Sequence, residues 1–310
     1  MAATEPTSIG IIGGGLMGHG IALVMARGGH HVNICDPDAA SRNSLHQRVR
    51  ASLKGMGVGE TESEQAIGRI SVVEEIAETV AETAFVFEAA PEKLALKQSI
   101  FAEIEQHAPT DCVLASNTSV IQISLIMEGL ESRHRALGTH WWNPPHMIPL
   151  VEVVKTDWVE DSAMTAMMDL LAAVGKTPVR VEKDVPGFIG NRLQHALWRE
   201  AISLVENGIC DARAVDTVIK ASFGRRLAVL GPLENADLVG TDLTLDIHEN
   251  VLFDLESRKA PSPYLEKLVK DGKLGMKSGE GFRNWTAEEA DELRKKVPTY
   301  LSGVAGLLKE

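Results

Sequence analysis

Up to about residue 184, short runs of aliphatic and β-branched residues alternate with stretches whose apolar positions recur every three or four residues. The runs "SIGIIG", "HHVNICD", "AFVFEAA", "CVLASN", "RALGTHW", "LVEVV" and "PVRVEK" read as strands, while residues 92–107 and 161–174 carry helical periodicity. This alternation predicts an α/β fold with a mainly parallel, doubly wound sheet. After "KDVPGF" helical periods alone remain, over 188–207, 212–223, an irregular stretch 232–256 and shorter segments beyond. The change places a boundary at Pro186-Gly187, giving a sheet-bearing domain of residues 1–186 and an all-helical C-terminal domain of residues 187–310. The helix from Phe188 is apolar on almost every side, through Ile189, Leu193, Leu197, Ile202 and Val205, as expected of a helix buried between domains or subunits. Asn191 and His195 within it require polar partners.

The first strand runs directly into "GGGLMGHGIALVMARGG", where Gly13, Gly15 and Gly18 form a GxGxxG at the start of a helix. Gly13 permits the tight turn, Gly15 lets the main chain approach a pyrophosphate, and Gly18 lets helix pack on strand; free N–H groups at the helix start bind phosphate. Leu16 and Met17 complete the loop. Alone this pattern also describes a glycine-rich turn without a ligand. It gains weight from Asp36, which ends the second strand eighteen residues past Gly18, where a carboxylate accepts hydrogen bonds from an adenosine ribose. Pro37 and Asp38 follow it rather than arginine, so the cofactor expected is NAD and not NADP.

With 310 residues, 44% of them hydrophobic, the chain has material for one large domain or two ordinary ones. Its 31 Lys and Arg against 43 Asp and Glu give a formal charge of -12, which argues against a nucleic-acid partner. Cys35, Cys112 and Cys210 are dispersed and odd in number, suggesting neither a disulfide framework nor a zinc site and fitting a reducing cytoplasm. No signal peptide or membrane span is expected.

The segment 138–152, "GTHWWNPPHMIPLVE", concentrates the remaining chemistry. Fully extended, His140 and Glu152 would lie about 40 Å apart, so a contact requires chain reversal. Asn143-Pro144-Pro145-His146 supplies turn chemistry that sets the flanking strands side by side. A His backed by a carboxylate suits general-base work, because the acid fixes the tautomer and stabilises the imidazolium. A satisfied core histidine is the alternative. Metal ligation is a third reading, against which His134, His140 and His146 lack the helical spacing and the thiolates of zinc sites. Trp141 and Trp142 alternate across a strand, so at least one is packing.

Taken together, "GGGLMGHGIA", "EAAPEKLALKQSIF", "ASNTS", "HWWNPPHMIPLVEV", "KDVPGFIGNRL", "GPLENADLVGTD" and "LGMKSGEGF" make the chain resemble the 3-hydroxyacyl-CoA dehydrogenase family over essentially its whole length. The resemblance implies a Rossmann domain binding NAD, a helical second domain that binds substrate and forms a homodimer, and reversible oxidation of an L-3-hydroxyacyl group to the 3-oxo form. By motif, His140 matches the catalytic base and Glu152 its paired carboxylate. Ser119 matches the serine that hydrogen-bonds the substrate oxygen, and Asn191 the asparagine that assists it from the second domain. Glu92 and Lys97 match residues bordering the nicotinamide, although an exposed helical pair would look the same. Asn117 and Asn143 are expected to line the same cleft. The fatty-acyl members usually read HFFNP with fewer prolines following, and "NPPHMIPLVEV" looks closer to relatives acting on gulonate, carnitine or pyridine derivatives. Residues 41–69 also mix Arg42, Arg48, Arg50 and Lys54 with Glu60, Glu62 and Glu64, where a coenzyme A-gripping arm would be lysine-rich. A non-CoA alcohol is therefore the alternative substrate class, and a catalytically silent dinucleotide-binding protein, like the lens crystallins of this family, the alternative of another kind.

Overall fold

The computed structural model describes residues 5–307. In chain order its first elements are β1 (Ser8–Ile12), α1 (Leu16–Arg27), β2 (His31–Cys35), α2 (Ala39–Gly55), α3 (Glu60–Ile67), β3 (Ile70–Val73), α4 (Ile76–Val80), β4 (Phe85–Glu88), α5 (Leu94–His107), β5 (Val113–Ser116) and α6 (Ile123–Met127). There follow β6 (Ala136–Trp141), β7 (Leu150–Val154), α7 (Asp161–Ala173), β8 (Thr177–Val181), and then helices alone: α8 (Gly190–Glu206), α9 (Ala212–Ala221), α10 (Pro232–Val239), α11 (Thr241–Val251), α12 (Pro263–Lys270) and α13 (Ala287–Leu307). Two compact units divide the chain, the first closing at Arg192 and the second opening at Leu193, within α8.

The first unit is built on one sheet of order β3-β2-β1-β4-β5-β6-β7-β8. β1 lies between β2 and β4, parallel to both, so the chain winds outward in two directions from β1. That arrangement opens a crevice at the carboxyl ends of the strands, where such folds bind ligands. Six strands run one way. β7 pairs antiparallel with β6, and β8 follows β7, so the last two run the other way. The strand β3 had no counterpart in the hydrophobic pattern. Its "ISVV" is short, only Ile70 is buried, and the flanking residues are charged.

Alternate side chains of the central strands feed two cores. Ile9, Ile11 and Phe87 join Leu23, Met25 and Trp141 on one face, while Ile12, Val86 and Leu114 join Phe101, Ile126 and Phe188 on the other. Each such side chain contributes roughly 1.5–3 kcal/mol on full burial.

The second unit is helical. The irregular stretch 232–256 resolves into α10 and α11, separated at Gly240, whose φ of 103° is a conformation that other residues adopt only at a cost. Leu233 and Phe253 are 80% and 82% exposed, and Leu238 and Leu245 are also exposed. Among the described residues no helix is long and apolar enough to cross a membrane.

Candidate active site

The glycine loop follows β1 directly. Gly13 has φ 102°, and a Cβ there would fall 2.8 Å from the Ala89 carbonyl oxygen. A Cβ on Gly18 would lie 1.7 Å from the Gly13 oxygen, so only glycine lets α1 start this close to the strand. At Gly15 a Cβ would meet nothing within 4 Å, which leaves open space against the main chain. Gly15 caps α1 without a side-chain acceptor, so the first N–H groups of the helix are available to an anion. Met17 packs against the core and Leu16 is exposed. Asp36 stands at the end of β2, one carboxylate oxygen accepting from Gly14 N at 2.7 Å and the other from Asp38 N at 2.9 Å. The loop, the helix start and the acid thus fit a dinucleotide: an open cradle, free amides, and a carboxylate held by backbone in a fixed orientation.

Along the same carboxyl edge, β4 ends in Glu88, which is completely buried, and so is Lys97 on α5. They meet at 2.7 Å. Glu88 also accepts from Ala90 N at 2.7 Å and from the Ser116 hydroxyl at 2.6 Å, while Lys97 Nζ donates to the Ala90 carbonyl. A buried ion pair persists only when its remaining hydrogen-bonding capacity is met in this way. Glu92 lies 3.5 Å from Lys97, accepts from the Thr118 hydroxyl, and gathers the N–H groups of Ser119, Val120 and Ile121 at 3.2–3.4 Å. Burial pushes its carboxyl up, but those donors and the Lys97 charge outweigh it and hold the group below the ordinary carboxylate range. Glu92 and Lys97 are therefore no exposed helical pair; they knit the loop after β4 to the loop after β5.

The turn at Asn143-Pro144-Pro145-His146 folds β7 back along β6, and the ladder register sets His140 opposite Glu152. Directly opposed residues of an antiparallel pair share one face, so the side chains meet. His140 Nδ1 lies 2.7 Å from Glu152 Oε2, with the two side chains 5% and 1% exposed. Glu152 Oε1 accepts from Ile189 N at 2.8 Å and Gly190 N at 3.0 Å, the free amides that open α8. Burial pushes the Glu152 carboxyl up; the bonds from His140, Gly190 and Ile189 outweigh it and hold the group ionised at lower pH than usual. An ionised carboxylate only accepts, so Nδ1 carries the proton and the Nε2 lone pair remains free to take another.

Phe188 delivers those amides from an uncommon conformation. Its φ is 50°, in the left-handed region, which costs a non-glycine residue on the order of 1–3 kcal/mol and persists where packing enforces it. The buried Phe188 ring packs 5.5 Å from His140, and the Trp142 ring packs at 5.3 Å. Gly190 makes room for that indole, since an added Cβ would sit 2.4 Å from its Cζ2. Trp141 points to the other face, 2% exposed and edge-on to Phe87, and is the packing member of the pair.

Of the remaining sequence-predicted residues, Asn117 is buried and caps β6 by accepting from Trp141 N at 3.0 Å. Ser119 is exposed, and its carbonyl, not its hydroxyl, accepts from Asn191 Nδ2 at 2.8 Å. Asn191 belongs to the first compact unit. Asn143 is exposed, and its side chain makes no hydrogen bond among the described residues. Glu88 and Phe188 escaped the sequence reading. An acid closing the otherwise apolar run "FVFE" was the available signal for the first; no composition signal marks the second.

Residues 8–185 match the family described as 3-hydroxyacyl-CoA dehydrogenase, NAD binding domain, and residues 187–285 match the corresponding C-terminal domain. The chain is 33% identical over 305 residues to 5-formyl-3-hydroxy-2-methylpyridine 4-carboxylate 5-dehydrogenase of Mesorhizobium japonicum, covering 97% of this chain and 98% of that protein. It is 37% identical over 286 residues to human mitochondrial hydroxyacyl-coenzyme A dehydrogenase, covering 88% and 89%. A crystal structure of the pyridine-carboxylate 5-dehydrogenase, described as an NAD+ dependent dismutase, superposes with a TM-score of 0.90 at 31% identity, covering 98% of this chain and 99% of that one.

Proposed function

Since the chain belongs to the 3-hydroxyacyl-CoA dehydrogenase family and is an NAD-dependent oxidoreductase acting on a hydroxyl group, we propose that it interconverts a 3-hydroxyacyl substrate and its 3-oxo form, with His140 as the base. Bound NAD supplies the hydride acceptor. Gly13, Gly15, Leu16, Met17 and Gly18 hold its pyrophosphate and Asp36 its adenosine ribose, while Glu92, Lys97 and Asn117 shape the nicotinamide end. His140 removes the hydroxyl proton on Nε2, and Glu152 stabilises the resulting imidazolium. The Ser119 hydroxyl and the second N–H of the Asn191 amide steady the substrate oxygen as it gains negative character, with Asn143 at the rim of the cleft.

The observation that carries this reading is the buried 2.7 Å contact of His140 Nδ1 with Glu152, the carboxylate itself backed by two main-chain amides. His140→Ala is expected to abolish turnover while NAD affinity, measured by fluorescence titration, stays within a few-fold of wild type. Wild-type turnover in that variant removes His140 from the mechanism.

A second reading, an alcohol without coenzyme A, is favoured by the state of the α2 cations. Arg42 is engaged by Glu74, Arg50 by Glu64, and Arg48 by the Gly14, Gly15 and Ser41 carbonyls. Of the four cations on that helix, Lys54 alone forms no ion pair or hydrogen bond among the described residues, leaving little to grip a nucleotide phosphate. The superposition on the pyridine-carboxylate enzyme points the same way. Acetoacetyl-CoA with NADH, assayed against gulonate, carnitine and pyridine carbinols with NAD, separates the two. We assign residues 1–186 to the cofactor and 187–310 to substrate selection and homodimer formation, the latter consistent with the exposed Leu233 and Phe253 and tested by sedimentation equilibrium. The buried, unpaired thiols of Cys35 and Cys112 suit a reducing compartment such as the cytoplasm.

A further inference from the structure

The turn of residues 142–149, which joins the two strands of the His140–Glu152 pair, is anchored at both ends of its span. Inside it, Met147 N and Ile148 N both donate to the Pro144 carbonyl at 3.0 Å. Pro145 is seated directly on α1: a Cβ at Gly20 would lie 2.5 Å from its Cγ, so the helix that carries the glycine loop also supports the turn. The remaining carbonyls are met from elsewhere. Lys176 leaves the joint between α7 and β8, where Gly175 has φ 79° and Lys176 N returns to the Leu171 carbonyl at 2.9 Å. Its ammonium donates to the Pro145 carbonyl and, at 2.9 Å, to the Ile148 carbonyl, and lies 5.3 Å from the centre of the Trp141 ring.

We propose that Lys176 is a positioning residue for the dehydrogenase reaction: its ammonium clamps the Pro145 and Ile148 carbonyls and so holds the β6–β7 turn, with Trp142 against His140 and Asn143 at the cleft. The inference rests on the reading of His140 and Glu152 as the proton-transfer pair.

Three observations carry it. The clamp spans the turn, binding two carbonyls three residues apart with one cation. Among the described residues the cation forms no ion pair with a carboxylate. A cavity of about 400 Å³ next to Lys176 is lined by Leu23, Val24, Arg27, Met56, His146 and Val174 among others, none of them acidic. A half-enclosed ammonium compensated only by carbonyl dipoles and an aromatic face is a costly placement, and what it secures is the turn. The titratable groups lining that cavity with it are His146 on the turn and Arg27 on α1, the latter paired with Glu62 at 2.6 Å, and the His19 ring lies 6.2 Å from the His146 ring. Burial, together with His19 and Lys176, pulls His146 down to about 4, so it is neutral at working pH; burial likewise pulls Lys176 down to about 8. The clamp therefore loses its charge at mildly alkaline pH, where neither histidine changes state.

Lys176→Met removes both donors and Lys176→Arg keeps them with a charge that does not titrate. Against wild type, the Met variant is expected to lose on the order of 10²-fold in kcat, the scale of a misplaced reacting group, with NAD affinity unchanged. The Arg variant recovers most of that loss. In wild type kcat falls as pH rises through about 8, and in the Arg variant this limb is gone. Amide hydrogen exchange over residues 142–149 rises in the Met variant without cofactor or substrate, and returns toward wild type in the Arg variant. Wild-type kcat and wild-type exchange of the turn in Lys176→Met overturn the proposal, as does an alkaline limb that persists in both variants. If His140→Ala is inert while Lys176→Met is unimpaired, the clamp alone falls. If His140→Ala turns over normally, the site reading falls, and the exchange measurement still decides whether Lys176 holds the turn.

Discussion

Replacing Glu152 by glutamine tests the acid–base pair with little change in shape. The carboxylate serves two sets of donors, the Ile189 and Gly190 amides on Oε1 and His140 on Oε2. A glutamine oxygen can keep both amide bonds, so α8 still starts where it does. The amide nitrogen must then face His140 Nδ1. A donor there makes Nδ1 the acceptor and moves the proton to Nε2, so the imidazole can no longer take a proton from substrate. Loss of the charge-assisted bond alone costs roughly 1.5–3 kcal/mol of imidazolium stabilisation. At about 1.36 kcal/mol per decade this is about 10- to 150-fold in rate. The inverted tautomer adds to it, and an Asp-to-Asn change behind the histidine of a serine-protease triad costs about 10⁴ in kcat by this route. We therefore expect Glu152→Gln to lower kcat by about three to four orders of magnitude, with NAD affinity intact. The assay is steady-state NADH absorbance with whichever compound of the acetoacetyl-CoA and alcohol panel is turned over, alongside a thermal melt to show the variant folded. A folded Glu152→Gln enzyme with kcat within about tenfold of wild type refutes the reasoning, because neither the charge nor the tautomer would then matter.

Asp36→Ala should weaken NAD binding and narrow the preference over NADP, since the carboxylate that Gly14 and Asp38 orient is lost; unchanged constants for both cofactors remove it from the site. Lys97→Met strands the fully buried Glu88 and should cost about 3–5 kcal/mol in urea denaturation, whereas Lys97→Met with Glu88→Gln recovers much of it. A double variant no better than the single would show that the pair is not the source of the loss. The lowered carboxyls of Glu92 and Glu152 contribute to the acid response. With folded values below the unfolded value of about 4.3, their stabilisation is full above that pH and drains away as pH falls through the folded values. The urea midpoint should accordingly drop in strongly acidic buffer, less steeply in Glu152→Gln than in wild type.

The α/β class, seven of the eight strands and the helical C-terminal half were legible because burial imposes periodicity on the chain. β3 was not, since a short edge strand with one buried residue carries almost no pattern. The break at Gly240 was hidden for a related reason: α10 and α11 share apolar content, and only the backbone angle divides them. In the site, a turn signal between two strand-like runs was enough to bring position 140 to position 152. The fate of Ser119 was beyond sequence, because its carbonyl rather than its hydroxyl receives Asn191. Lys176 was missed because its carbonyl partners, Pro145 and Ile148, lie 31 and 28 residues away along the chain.

The reversal after β6 has an evolutionary corollary. Two parallel strands need a crossover of a dozen or more residues, but an antiparallel pair needs only a short return. His140 and Glu152, the pair we propose as base and acid, are thus carried on a single hairpin, remote in sequence from the glycine loop near the N-terminus. Such a cassette can be exchanged, retuned or silenced by a change confined to one small stretch of gene while the nucleotide-holding half stays as it is. One ancestral scaffold could in this way give rise to enzymes for dissimilar alcohols and to descendants that bind the dinucleotide and do nothing with it.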